Sequence, residues 1–152
     1  MKLLPILLFT FLFFSFSSEE NSQDPLINIE DLSTEFSYQI RYATPYNFIG
    51  ETLYDCAVCL LRPEVAAALL EANQYFCEKG YRIKIYDSYR PLDVQKKMWA
   101  KVPRPTYVGN PYGNRSIHNK VAAVDITLET LEGCYIEICS AYDPFGREAN
   151  LD

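Results

Sequence analysis

Apolar and polar residues alternate with period two along Phe36-Ser37-Tyr38-Gln39-Ile40-Arg41-Tyr42, the mark of a half-buried strand. Tyr81-Arg82-Ile83-Lys84-Ile85-Tyr86 repeats that pattern and predicts a second strand. Between them the period lengthens to a helical one. Val65, Leu69, Ala72 and Phe76 recur along one helix face, Pro63 suits a first turn and Gly80 a stop. The spacing therefore predicts a helix from Pro63 to about Lys79. Pro91 opens a shorter helix to about Lys101, which Pro103-Arg104-Pro105 ends. Val121 to Leu128 and Tyr135 to Ile138 predict two more strands joined by a turn at Glu132-Gly133. Strands mixed with two helices, without regular βαβ repetition, predict an α+β fold: one small domain, an antiparallel sheet and two main helices.

The stretches between these elements differ in kind. Residues 43–50 form a loop broken by Pro45 and Gly50, and residues 102–115 a long loop rich in Pro, Gly, Asn and Tyr. Long loops inside small domains often carry function. Residues 18–35 are polar and Ser/Glu/Asp-rich, with Leu26, Ile27, Ile29 and Leu32 as anchors, and are expected to pack loosely ahead of a domain at 36–152. Upstream, Lys2, an apolar run from Leu3 to Phe14 and the small residues Ser15 and Ser17 describe a signal peptide cleaved after Ser17. An uncleaved anchor is the competing reading, disfavoured because a span needs roughly 20 apolar residues.

Composition narrows the partners. Removing residues 1–17, whose single charge is Lys2, leaves 135 residues and moves the net charge from −6 to −7. An acidic chain with no basic run lacks the electrostatic footprint for nucleic acid, so a small substrate is expected. Export implies an oxidising compartment, where Cys56, Cys59, Cys77, Cys134 and Cys139 allow two bridges and one spare thiol. Cys56-Ala57-Val58-Cys59 has redox-motif spacing, yet the helix begins several residues later, at Pro63. Structural cysteines fit better.

Three clusters are candidates for chemistry. His118, the chain's single histidine, precedes Asp125 by seven positions, which matches no helix face. A loop-to-strand geometry is needed for both to reach one metal ion; a lone histidine in isolation is more often a satisfied structural residue. Imidazole and carboxylate suit a catalytic zinc, which takes three protein ligands and leaves a position for water. Ser116, two residues before His118, points to the same side on an extended chain. Arg90, in the turn Asp87-Ser88-Tyr89-Arg90-Pro91, is either a helix-starting surface residue or a fork aimed at a carboxylate or developing oxyanion. Asp143 in Tyr142-Asp143-Pro144 either binds a substrate ammonium or begins a turn.

Tyr42-Ala43-Thr44 with Asn47-Phe48 and Gly50, Tyr86-Asp87-Ser88-Tyr89-Arg90-Pro91, and Ser116-x-His118 through Ala123-Val124-Asp125 occur in this order. Together they resemble the zinc-dependent D-alanyl-D-alanine dipeptidases of the vancomycin-resistance type, from about Ile29 onward. The Ser-x-His-(x)6-Asp pattern is shared with wider zinc D,D-peptidases; the Tyr-Ala-Thr segment narrows the resemblance to dipeptidases. It implies His118 and Asp125 as ligands of one Zn2+ ion, Arg90 as the group stabilising the tetrahedral transition state, and Ser116 and Asp143 beside the dipeptide. It also implies a role in cell-wall peptide metabolism in the periplasm or outside the cell.

Two departures change the picture. The family pattern has a glycine five residues after the serine, where this chain has Val121. A β-branched residue does not take up positive φ cheaply, so a different loop geometry is expected. The pattern also continues to a Glu-x-x-His segment supplying the general base and third zinc ligand, and these 152 residues hold no second histidine. A truncated or degenerate relative is therefore expected, and its competing function is a non-catalytic binding module for D-Ala-containing peptides. A disulfide-stabilised structural domain is a third class, one with no use for His118.

Overall fold

The elements arise in chain order from the patterns above, with shifts that tertiary contacts explain. A computed structural model describes residues 25–113 and 116–136. The strands are β1 (Ile27–Asn28), β2 (Ser37–Tyr38), β3 (Leu60–Leu61), β4 (Tyr81–Asp87) and β5 (Asp125–Thr130). The helices are α1 (Pro63–Cys77) and α2 (Leu92–Lys101), with short 3-10 turns at Ile29–Asp31, Arg41–Ala43 and Ile117–Lys120. The class is α+β, as the pattern predicted. No helix among the described residues is long and apolar enough to cross a membrane.

β4 is the spine. It pairs antiparallel with β5, in the register Ile83↔Leu128 and Ile85↔Ile126, and parallel with β2, in the register Tyr38↔Ile85. The three-stranded sheet is thus mixed, because a 3-10 turn and α1 lie between β2 and β4 and bring the chain back in the same direction. β1 and β3 form a separate antiparallel pair.

α1 starts with Pro63, whose missing N–H falls among the unpaired donors of a first turn. It buries Ala66, Leu69 and Asn73, a spacing of three and four that keeps one face inward. Asn73 is a polar residue on that face, and its Oδ1 accepts the backbone N–H of Ile83 at 2.7 Å, tying the helix to β4. Gly80, at φ 86°, reverses the chain between the two.

The core falls into two clusters. Ile29, Phe36, Leu61, Ala66, Leu69, Ile83 and Ile85 fill the space between α1 and the sheet. Tyr42, Leu53, Val94, Met98 and Val108 pack around α2. In the described part of the expected loose lead-in, residues 25–35, Ile29 is fully buried instead, and its N–H donates to the Cys59 carbonyl at 3.0 Å. The second cluster explains why the strand expected over 36–42 stops at Tyr38. The chain coils at Arg41–Ala43 so that Tyr42 turns inward, and its carbonyl accepts both Leu53 N–H and Tyr54 N–H, at 2.8 and 3.0 Å. Val108 anchors the long loop in the same cluster.

Cys56, Cys59, Cys77 and Cys134 are free thiols, so no bridge joins the described cysteines; Cys139 lies outside the described residues. The strand expected at Tyr135–Ile138 is described only through residue 136, where Tyr135 bridges to Glu129. The signal segment and Asp143 lie outside the described residues.

Candidate metal and substrate site

The end of the β4–β5 pair brings the site together. After an irregularity between Ile85 and Asp87, Asp87 at the end of β4 lies opposite Asp125 at the start of β5. The 3-10 turn Ile117–Lys120 then sets His118 over both. Ser116 caps this turn: its Oγ accepts the His118 N–H at 3.3 Å, while Asn119 Oδ1 accepts the Ser116 N–H at 3.1 Å. Ser116 is therefore not on an extended strand beside His118, as alternation suggested. A capped turn replaces it, and the seven-residue gap is bridged by a turn running into a strand.

Val121 ends that turn at φ 58° and ψ 32°, in the left-handed region. Valine thus adopts the positive φ that its branching makes costly. Bonds from Val121 N–H to the His118 carbonyl (3.1 Å) and from Ala122 N–H to the Ile117 carbonyl (3.4 Å) hold the strained residue in place.

His118 Nδ1 lies 2.8 Å from the Ser88 carbonyl oxygen, an acceptor, so Nδ1 carries a proton; Nε2 offers its lone pair in the neutral ring and donates to Asp125 when the ring is protonated. That nitrogen is 3.4 Å from Asp125 Oδ1. Two ligands of a tetrahedral zinc, each bound at ~2.0–2.1 Å, stand about 3.3 Å apart. The pair fits one divalent ion. Burial alone would lower the His118 pKa, but hydrogen bonding to Asp125 and its negative charge outweigh it, and the net shift is upward.

Asp87 is the third acidic or imidazole group in the cluster. Its contacts assign it another task. Oδ1 accepts from the Tyr54 hydroxyl at 2.6 Å, and Oδ2 accepts from Arg90 Nη2 at 2.5 Å and Nε at 3.0 Å. It faces the Nδ1 edge of His118 at 3.8 Å rather than the Nε2 edge. Oδ2 thus anchors Arg90 while Oδ1 is held by Tyr54. Burial pushes the Asp87 carboxyl upward, while Arg90 and the Tyr54 hydroxyl oppose the shift. Burial raises the Tyr54 hydroxyl and the Asp87 charge adds to it, so Tyr54 remains a donor. For Arg90, burial works against the charge, Asp87 outweighs it, and the guanidinium stays cationic.

Arg90 is 7 % exposed, which rules out the surface-arginine reading. The Tyr42 ring lies under its Cζ at 5.1 Å, and Nη2 lies 3.8 Å from Asp125 Oδ2. Arg90 also clasps the histidine turn, since its N–H donates to the His118 carbonyl (3.2 Å) and its carbonyl accepts from Asn119 Nδ2 (2.6 Å). A cation fixed beside the Asp125 carboxylate could meet negative charge developing beside an ion held there.

The motif segments now have physical reasons. Tyr42 supports Arg90. Asn47 donates from Nδ2 to the Thr44 and Glu51 carbonyls (2.6 and 2.9 Å) and accepts from Ile49 N–H (2.9 Å), closing the 43–50 loop. Gly50, at φ 74°, completes it. Profile comparison decides what these residues belong to: a family described as D-ala-D-ala dipeptidase matches residues 22–150. The chain belongs to that family.

Two relatives of this dipeptidase family agree. The chain is 28 % identical, over 118 residues, to the D-alanyl-D-alanine dipeptidase of Escherichia coli strain K12, covering 78 % of this chain and 61 % of that one. It is 25 % identical to the D-alanyl-D-alanine dipeptidase of Enterococcus faecium, covering 70 % of this chain and 62 % of the relative. The chain thus spans about three fifths of the length of these curated relatives. Sequence reasoning singled out His118, Asp125 and Arg90, which the structure brings together. It missed Asp87, Tyr54, Gln95 and Asn119 as the groups that hold them. Asp87 stood within the quoted motif, three residues from Arg90, and that spacing was the available signal.

Proposed function

We propose that this protein is a zinc metallopeptidase of cell-wall peptide metabolism that hydrolyses the D-alanyl-D-alanine dipeptide. The observation that carries the reading is the pairing of His118 Nε2 with Asp125 Oδ1 at 3.4 Å while Ser88 fixes the opposite ring nitrogen. A backbone acceptor on Nδ1 is the usual device for orienting a metal-binding imidazole. When bound, zinc supplies Lewis-acid polarisation of the scissile carbonyl and a water with pKa near 7.

Binding and orientation of the substrate would fall to the chain's own residues. Among the described residues, Arg90 uses three of its five N–H groups on Asp87 and Gln95, leaving two for a substrate oxygen. In the proposed reaction it binds the oxyanion of the tetrahedral intermediate, and Asp87 and Tyr42 keep it in place. Ser116 lines the substrate side of the histidine turn, and Asp143 receives the dipeptide's ammonium group. Lys2, the apolar run to Phe14 and the small residues Ser15 and Ser17 support export to the periplasm or medium.

The test is release of D-alanine from D-alanyl-D-alanine by the zinc-loaded full chain and by its Arg90→Ala variant. Turnover in the parent, abolished in Arg90→Ala with zinc content unchanged, is the expected result. Loss of zinc together with activity in Arg90→Ala makes Arg90 structural. No turnover in the parent contradicts the reading.

A further inference from the structure

Gln95 lies on α2, five residues after Arg90, and is fully buried. Both ends of its carboxamide are in use. Oε1 accepts from Arg90 Nη1 at 3.1 Å, and Nε2 donates to the Gly109 carbonyl at 2.7 Å. Gly109 belongs to the long loop and backs directly onto Ser116: a Cβ added there would sit 3.4 Å from Ser116 Cα and 3.5 Å from its Cβ. One side chain therefore spans from the guanidinium to the loop that supports the cap of the histidine turn.

A methionine or leucine would fill the same volume without burying polar atoms, and an unmatched carboxamide would be costly. The amide is thus informative for its two opposite bonds. Asp87 grips Nε and Nη2 but leaves Nη1 to Gln95, so among the described residues Gln95 fixes the far end of the guanidinium plane. On the other side, Val108 seats the loop in the core beside Val94 and Met98 of α2, which brings Gly109 within reach of Gln95.

We propose that Gln95 is a positioning residue that locks the Arg90 guanidinium and the Gly109–Ser116 wall into one rigid unit. The proposal rests on the reading of Arg90 as the oxyanion-binding group. Its structural consequence is coupling: a disturbance at Arg90 reaches the loop through Gln95 and is blocked when Gln95 cannot hydrogen-bond.

Amide exchange of the 15N-labelled full chain tests this without requiring turnover. Arg90→Lys removes Nη1 and is expected to speed exchange at the Val108 and Gly109 amides by about tenfold in the parent background. In a Gln95→Met background, the same substitution is expected to add less than about twofold, because the link is already cut. Equal effects of Arg90→Lys in both backgrounds overturn the proposal. Should Gln95→Met not fold, Gln95→Glu serves: it keeps the acceptor for Arg90, lacks the donor for Gly109, and should loosen the loop while leaving the Arg90 Nε–H resonance in place. In a protein that turns over the dipeptide, Gln95→Met is expected to lower kcat about tenfold with KM changed less than about threefold. An unchanged kcat there overturns the positioning role. Absence of turnover in the parent is a failure of the functional reading alone, and the exchange result still decides the coupling.

Discussion

Arg90 grips Asp87 through two nitrogens on one oxygen, with Nη2 at 2.5 Å and Nε at 3.0 Å from Oδ2, inside a site where Asp87 has no solvent exposure. The other Asp87 oxygen is held by Tyr54. The arginine that faces the candidate metal site is thus positioned by an ion pair that water does not screen.

Removing one partner of such a pair leaves a buried charge alone. Asp87→Ala is expected to lower unfolding stability by about 3–5 kcal/mol, read from urea melts at neutral pH. A loss under about 1 kcal/mol would mean that Arg90 finds another anion or escapes to solvent. Tyr54→Phe removes only the neutral donor, and a loss of about 1–2 kcal/mol is expected.

Val121 gives an inverted ranking. At ordinary backbone angles alanine is more stable than glycine by about 0.5–1 kcal/mol. At φ 58° an L-residue carries about 1–2 kcal/mol of strain that glycine lacks. Val121→Gly should therefore match or exceed Val121→Ala in stability, although both lose the buried side chain. The usual order, alanine above glycine, would show that the turn relaxes to negative φ.

Glu129 sets a pH dependence away from the site. It is 2 % exposed and bridges Arg82 Nε, at 2.7 Å, and the Lys84 ammonium across β4 and β5. Burial alone would raise its carboxyl, but bonds from Lys84, Arg82 and Ser37 outweigh this and lower it. The folded protein then binds this proton less tightly than the unfolded chain. Its stabilisation is present above the unfolded value of about 4.3 and is lost as pH falls through the depressed folded value. Thermal melts of Glu129→Gln should lie well below the parent at pH 7 and converge with it toward pH 3. A constant gap across that range would remove the charge from the explanation.

Much of this fold is visible in local periodicity. α1 and β4 fall within two residues of their expected limits because their apolar faces are long and their Pro and Gly punctuation is unambiguous. Tyr42 is where local reasoning failed. The alternation through it continues to residue 42, but its ring is needed under Arg90, 48 positions away, and the backbone coils to deliver it. The site divides the same way. His118 and Asp125 stand out in the sequence because few residue types ligate metals, and the structure brings them together. Asp87, Tyr54 and Gln95 are common residues whose role exists only in contacts across the chain, such as the bond from Tyr54 to Asp87. Ile29 shows the same limit: nothing local sets it apart from Leu26, Ile27 and Leu32 in a polar stretch, yet it is fully buried in the core.

Metal binding by the full chain tests the central claim most directly. Titration with Zn2+ should give one site per chain in the parent, lost in both His118→Ala and Asp125→Ala, while Tyr54→Phe retains it. Parent-like zinc binding in both ligand variants would contradict the convergence of His118 and Asp125 on a single ion.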